Sequence, residues 1–241
     1  GDAPDIMFGG PGTYPELVNA GYIMDLSDKD YISRVSEGSL SLQKLDDKVY
    51  AVPLDQMANV VFYNKDIFND LGLTVPTTYT EFIDTCKALK DAGYAACAAG
   101  YQDQISIGAN FYTMFYGTPY LSCENYVDET QNQGKSWGEY PTFAQALTQF
   151  REIIGYQNED CRTITTDRAE QLFANGESGM IIIGTWGLGA IMNYNPDLNC
   201  GGFMYPSEEK AEDNAIPLNT DDCWMILNDS PNADIADAFF E

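Results

Sequence analysis

The sequence predicts an α/β fold. Three observations carry this: short apolar runs of strand character recur along the chain, amphipathic helical stretches alternate with them, and glycine or proline stands at many of the junctions. Pro4-Asp5-Ile6-Met7-Phe8 reads as a short buried strand running into Gly9-Gly10-Pro11-Gly12, where three glycines in four residues let a backbone approach something closely. No Gly-Lys-Ser/Thr follows, so the loop resembles a phosphate cradle only superficially. A first helix is expected over residues 14–20, stopped by Gly21. Residues 48–53 and 58–63 read as β-branched and aromatic strands, separated by Leu54-Asp55-Gln56-Met57. A short helix over 65–71 ends at Gly72. Thr78 and Glu81 have the spacing of a capping box, Phe82, Ile83, Cys86 and Leu89 form the apolar face behind it, and Gly93 stops that helix.

Residues 95–99 are a small-residue strand candidate. The Tyr-, Asn- and Gln-rich stretch 101–137 divides into a helix near 110–116 and loop, with Trp137 read as a surface or insert residue. Residues 142–154 predict an amphipathic helix with Phe143, Leu147, Phe150 and Ile154 inward, and residues 167–174 a second one with Asp167 and Glu170 as its capping box. Residues 179–184 are an apolar strand flanked by glycine, as in a sheet covered on both faces. Trp186 stands at its end, before a helix running to Met192. Residues 202–206 and 223–227 are further strands, 208–213 a solvated charged loop, and 233–240 a closing helix.

The chain has 241 residues, 44% hydrophobic and 20% charged, which is globular rather than disordered composition. Twelve basic residues against 37 acidic ones give a net charge of −25. Such a chain repels phosphate, which argues against a nucleic-acid partner and against anionic lipid surfaces. No apolar run approaches the ~18 residues of a membrane span. The sequence contains no His, which excludes Ser-His-Asp and Cys-His catalysis and His-containing metal sites. None of the six Cys forms a C-x-x-C pair. Buried free thiols and disulfides both stay open; bridges would join Cys123 with Cys161 and Cys200 with Cys223.

Four segments, in this order and spacing, resemble the extracellular solute-binding proteins of ABC transporters, in particular the carbohydrate-binding group that includes maltose-binding protein. They are Gly1-Asp2-Ala3-Pro4-Asp5-Ile6-Met7-Phe8 with Glu16 to Gly21 and Met24-Asp25-Leu26; Val49-Tyr50-Ala51-Val52-Pro53 with Phe62 to Phe68; Pro76 to Thr85 with its helix to Gly93; and Leu172 to Met180, ending in Gly184-Thr185-Trp186. The resemblance implies a type II periplasmic-binding-protein-like fold: two α/β lobes around a cleft, with hinge crossovers. The first lobe would comprise 1–58 plus 219–241 and the second 60–215, with hinges near 55–60 and 216–222. It also implies a chain truncated at both ends, its first lobe lacking an N-terminal strand and helix. The implied function is capture of a sugar or oligosaccharide by lobe closure for import. The implied partners are that ligand and the permease subunits of the transporter, with no cofactor, no catalytic residue, no metal and no nucleic acid. The protein would be a bacterial monomer, either periplasmic or a membrane-anchored cell-surface lipoprotein.

Sugar sites combine aromatic platforms, which cover C–H faces, with planar polar side chains that bond hydroxyls. By resemblance the loop Gly9, Gly10, Gly12 lines the cleft with its backbone, and Tyr14 is the nearest ring. Gln102 and Asp103 follow a strand's carboxyl end, where α/β folds bind ligands. The resemblance places a polar sugar ligand near Asp55 and Gln56 at a hinge crossover, and Asp221, Asp222 and Trp224 where the chain crosses back. Its Gly-x-Trp makes Trp186 a stacking candidate. The competing readings are a solute-binding protein for a polyol, amine or peptide, a two-carboxylate glycosidase, and a calcium loop at residues 25–30.

Overall fold

The structure, a computed structural model, describes residues 3–117, 129–130, 132–216, 218–220 and 222–241. It divides into two compact units, Gly1–Met57 with Leu218–Glu241, and Ala58–Pro217. Elements are numbered along the whole chain.

The first unit holds β1 (Ile6–Phe8), α1 (Pro15–Asn19), α2 (Glu37–Ser41), β2 (Lys44–Leu45), β3 (Lys48–Val49) and β4 (Val52–Pro53), and later β9 (Leu218–Asn219), β10 (Cys223–Ile226) and α9 (Ala233–Phe240). β10 is the central strand of an antiparallel sheet, with Phe8 of β1 opposite Trp224 on one side and Val52 of β4 on the other. Alternation along β10 sorts its side chains: Cys223 and Met225 join Val18, Ile23 and Ala51, whereas Ile226 joins Leu26, Tyr31 and Val52. The stretch expected as one strand over 48–53 is split. β3 returns on β2 through Asp46 and Asp47, both with positive φ (50° and 65°), as a two-residue hairpin turn of the primed type requires. Asp237 holds α9 in place, accepting hydrogen bonds from the Tyr31 hydroxyl (2.7 Å) and the Lys29 ammonium.

The second unit holds β5 (Met57–Asn64), α3 (Lys65–Leu71), α4 (Tyr79–Asp91), β6 (Ala95–Ala98), α5 (Gln104–Gly117), α6 (Pro141–Ile154), α7 (Thr166–Ala174), β7 (Ser178–Gly184), α8 (Gly187–Tyr194) and β8 (Cys200–Phe203). The sheet order is β6-β7-β5-β8, with β6 parallel to β7 and the other two pairings antiparallel. All seven residues of β7 are buried. Met180 and Ile182 pack with Phe82, Leu89, Met114 and Ile153 on one face; Ile181 and Ile183 pack with Ala169, Phe173 and Ile191 on the other. The start of α4 is the capping box read from sequence: Thr78 Oγ1 accepts from the Glu81 amide and Glu81 accepts from the Thr78 amide. Gly93 follows its end at φ +92°, a left-handed position that glycine adopts without strain.

Helix α6 packs Phe143 and Phe150 against the core as its apolar pattern suggests, but not Leu147. Ala146, Gln149 and Ile153 are buried, and Leu147 is exposed. Gln149 can be buried because its amide donates to Ser207 O (2.7 Å) and its carbonyl accepts from the Tyr205 hydroxyl (3.2 Å). Helix α7 is capped by Thr165 rather than by an Asp167–Glu170 box. Cys200 and Cys223 are free thiols in different units, so no bridge joins them. Cys161 is a buried free thiol, and Cys123 lies outside the described residues. The buried thiols act as small apolar core groups. Trp137 packs in an aromatic cluster with Phe115, Phe143 and Tyr140. Asp25, in the calcium-loop candidate, bonds Ser27 and pairs with Lys48 instead.

Two predictions follow from this packing. A methyl group on Gly100 would run into the backbone of Thr165 and Thr166, where the end of β6 meets the start of α7. Gly100→Ala should therefore destabilise the protein by about 2 kcal/mol or more in urea unfolding, and an unchanged midpoint would refute this close approach. Glu170, buried on α7, has its pKa pushed up to about 7 by desolvation first, then by Asp167 and Asp103. A carboxyl whose folded pKa exceeds its unfolded value of 4.5 removes stability as pH rises from about 4.5 through 7. Glu170→Gln should be neutral near the lower end of that window and stabilising above pH 7, on the order of 1–3 kcal/mol; a pH-independent difference in melting would contradict the assignment.

Candidate functional site

The main candidate site grows from the carboxyl end of β1. Gly9 continues the strand's bonding, its amide donating to Cys223 O at 2.7 Å, and takes φ +129°. Gly10 O then accepts from the amides of Thr13 (3.0 Å) and Tyr14 (3.1 Å), so the loop folds over and delivers Tyr14 back beside Gly9. A Cβ on Gly9 would strike the Tyr14 ring at 2.6 Å, and one on Gly10 would lie 2.7 Å from Gln43 Oε1. Nothing stands within 4 Å of a Cβ at Gly12. The glycines thus place a bare backbone and Tyr14 beside Phe8 around a cavity of about 340 Å³.

The rest of the wall comes from elsewhere in the same unit: Leu42 and Gln43 after α2, and Asn219, Thr220 and Cys223 leading into β10. The backbone of Gln43 is pinned by Leu40 O (2.9 Å) and by the Tyr50 amide (3.0 Å). Its Nε2 donates to Thr220 Oγ1 at 2.9 Å, and the Cys223 thiol reaches the same oxygen at 3.6 Å. Burial pushes the Cys223 thiol up, so it stays protonated. Among the described residues, the lining contains no carboxylate, ammonium or guanidinium, in a chain of net charge −25. Such a wall offers C–H surface, the aromatic residues Phe8 and Tyr14, and neutral donors and acceptors. Gln43, Asn219 and Thr220 were not legible as site residues, because only the fold brings three distant segments together.

The remaining candidates lie elsewhere. Asp55 Oδ1 accepts from the Asp222 amide (3.1 Å), and Gln56 Nε2 donates to Ser39 Oγ (2.7 Å); all three side chains are exposed in the first unit, outside this cavity's lining. Trp224 does not line this cavity. It faces the other side of β10 from Cys223 and stacks on Phe239 of α9, ring centroids 5.7 Å apart and 16° from parallel. Asp221 lies outside the described residues.

In the second unit, Gln102 is exposed beyond β6, its amide bonded to Ile164 O (3.0 Å). Asp103 is a structural tie: its carboxylate accepts from the Thr166 amide (2.7 Å), the Thr166 hydroxyl (2.6 Å) and the Ile105 amide (3.0 Å). Those bonds hold its pKa low against the opposing effect of burial, which is the largest single contribution. Trp186 sits at the carboxyl end of β7, with its indole against Gly184 and 41% of its surface exposed. Thr185 anchors that turn through its amide to Ala58 O (2.8 Å).

The chain is similar to known proteins along its whole length. A multiple sugar-binding protein of Streptococcus mutans serotype c is 28% identical over 235 residues, covering 95% of this chain and 55% of that protein. An sn-glycerol-3-phosphate-binding periplasmic protein of Agrobacterium fabrum is 27% identical over 179 residues, covering 72% of this chain and 40% of that protein. Among solved structures, the solute-binding protein RafE in complex with raffinose superposes with a TM-score of 0.82 at 26% identity, covering 99% of this chain and 63% of that one. RafE has also been solved without ligand, from Streptococcus pneumoniae, and superposes at 0.79. The chain therefore spans between two fifths and two thirds of the length of these relatives. The family described as bacterial extracellular solute-binding protein matches residues 1–241, and this chain belongs to it.

Proposed function

We propose that this chain is the ligand-capturing part of an ABC-transporter solute-binding protein, taking a neutral sugar or oligosaccharide outside the cytoplasm and delivering it to membrane permease subunits. The observation that carries this reading is the uncharged lining of the cavity at the carboxyl end of β1. A sugar needs hydroxyl partners and C–H platforms, not counter-charges. The relatives named for multiple sugars and for raffinose support the same ligand class. A phosphate-bearing ligand, as the Agrobacterium relative's name suggests for that protein, would meet no cation in the lining and a chain of net charge −25. An amine would find no carboxylate among the described residues of the lining.

In this reading Gly9, Gly10 and Gly12 present backbone to the ligand and Tyr14 covers a sugar face. Asp55, Gln56, Gln102 and Asp222 have a smaller part, since they line no cavity with these residues. The protein binds without turnover, so a bound glycan is released intact. Among the described residues no helix is long and apolar enough to cross a membrane; attachment as a lipoprotein, or free residence in a periplasm, belongs to this proposal.

The test is a thermal melt with a panel of mono- and oligosaccharides, raffinose included. A ligand that binds only the folded state stabilises it by about 2.7 kcal/mol at a hundred times its Kd, so the midpoint should rise with one sugar class. The shift should be insensitive to ionic strength, because no charge is paired. A shift produced instead by polyamines or glycerol phosphate, and abolished by salt, would overturn the sugar reading. Tyr14→Ala should weaken saccharide binding about tenfold, the effect of losing one stacking contact; unchanged affinity in a folded variant would remove Tyr14 from the site.

A further inference from the structure

We propose that Gln43 selects the ligand of the β1 cavity, its carboxamide bonding one particular hydroxyl of the bound saccharide. This rests on the sugar reading above and names the residue that discriminates among sugars.

Gln43 is 2% exposed, yet it lines the cavity. Its two amide atoms are treated differently. Nε2 donates to Thr220 Oγ1, whereas Oε1 is buried with no donor among the described residues. A buried acceptor without a donor is costly, so it marks either strain or a partner supplied from outside. The surroundings favour an outside partner. Gln43 cannot drift, because its backbone is bonded on both sides, to Leu40 and Tyr50. Oε1 lies beside Gly10, and within 4 Å of the place a Cβ would take there, the only atoms outside the loop's own neighbours belong to the Gln43 amide. Oε1 has no exposed surface, so Gly10, the residue against it, must give way for a ligand to reach it, and a side chain there would block that approach.

The required partner is small, neutral and hydrogen-bonding. A hydroxyl meets all three needs. It serves equally well if the carboxamide is turned over, because it both donates and accepts. An ammonium would satisfy the acceptor but would find no carboxylate among the described residues of the lining. A site built around a buried polar group rejects an analogue that lacks the matching hydroxyl far more strongly than an apolar pocket rejects a missing methylene.

The experiment is titration calorimetry with the saccharide that shifts the melt, raffinose tried first, and with its series of monodeoxy derivatives. The proteins compared are the wild type, Gln43→Met and Gly10→Ala. The wild type should lose about tenfold in affinity on one deoxy derivative. Gln43→Met, which keeps the side chain's length without an amide, should bind the parent sugar about tenfold more weakly and no longer distinguish that derivative. Gly10→Ala keeps Gln43 but blocks the approach to its oxygen, and should behave the same way; it decides the matter if Gln43→Met does not fold. A folded Gln43→Met or Gly10→Ala that binds the parent within twofold of wild type, or that still discriminates the same hydroxyl, overturns the assignment while leaving the sugar reading intact. No binding of any saccharide by the wild type overturns the sugar reading itself, and this assignment with it.

Discussion

A strand buried on both faces has to be covered on both faces, and β7 imposes that condition on the second unit. Each of its seven residues is buried, so α4, α5 and α6 must cover Met180 and Ile182 while α7 and α8 cover Ile181 and Ile183. The close packing leaves no room for side chains at two points along it: Leu89 fills the space beside Gly179, and the Trp186 indole lies where a Gly184 side chain would be. With the faces and interior committed to packing, chemistry is left to the segments that leave the strands. The first unit obeys the same logic on a smaller scale. β10 is paired on both edges, and the free backbone is the glycine loop that leaves β1.

That loop is where physical chemistry turns into selectivity. A chain of net charge −25 sets a field that repels anions and draws cations, yet the lining of the β1 cavity holds no ionised group among the described residues. Keeping charge on the outer surface and neutral groups around the cavity suits a ligand recognised through shape, C–H contact and hydroxyl bonding. Glycine is the means: each missing Cβ brings main chain, ring or amide closer to whatever fills the space.

Much of the fold was legible because local and global signals agree. Thr78 and Glu81 announce α4, Gly72 and Gly93 end their helices, and the run from Gly179 to Gly184 could only be a covered strand. The errors arose where a polar or pairing choice made elsewhere in the fold decided the outcome. Leu147 stays exposed because Gln149 finds two partners on the segment after β8. Thr165 caps α7 because Asp103, sixty residues away, holds the next residue's amide. The candidate site divides in the same way. Gly9 to Tyr14 stood out as a glycine run after a strand, and the family resemblance made it a candidate; Trp186 was a candidate through that resemblance alone and belongs to the other unit. Trp224 stands away from this cavity because the alternation of β10, invisible until its pairing is known, sends it to α9. Gln43 and Thr220 carry no motif; only their meeting reveals them.

The most direct measurement is amide chemical-shift mapping of the isotope-labelled protein during titration with raffinose or another saccharide of the panel. The account predicts saturable shifts at Gly9, Gly10, Tyr14 and Thr220, together with the side-chain amide of Gln43. Shifts confined to another surface, such as the acidic hollow formed by Tyr79, Asp84, Glu152 and Glu209, with the glycine loop unmoved, would contradict it.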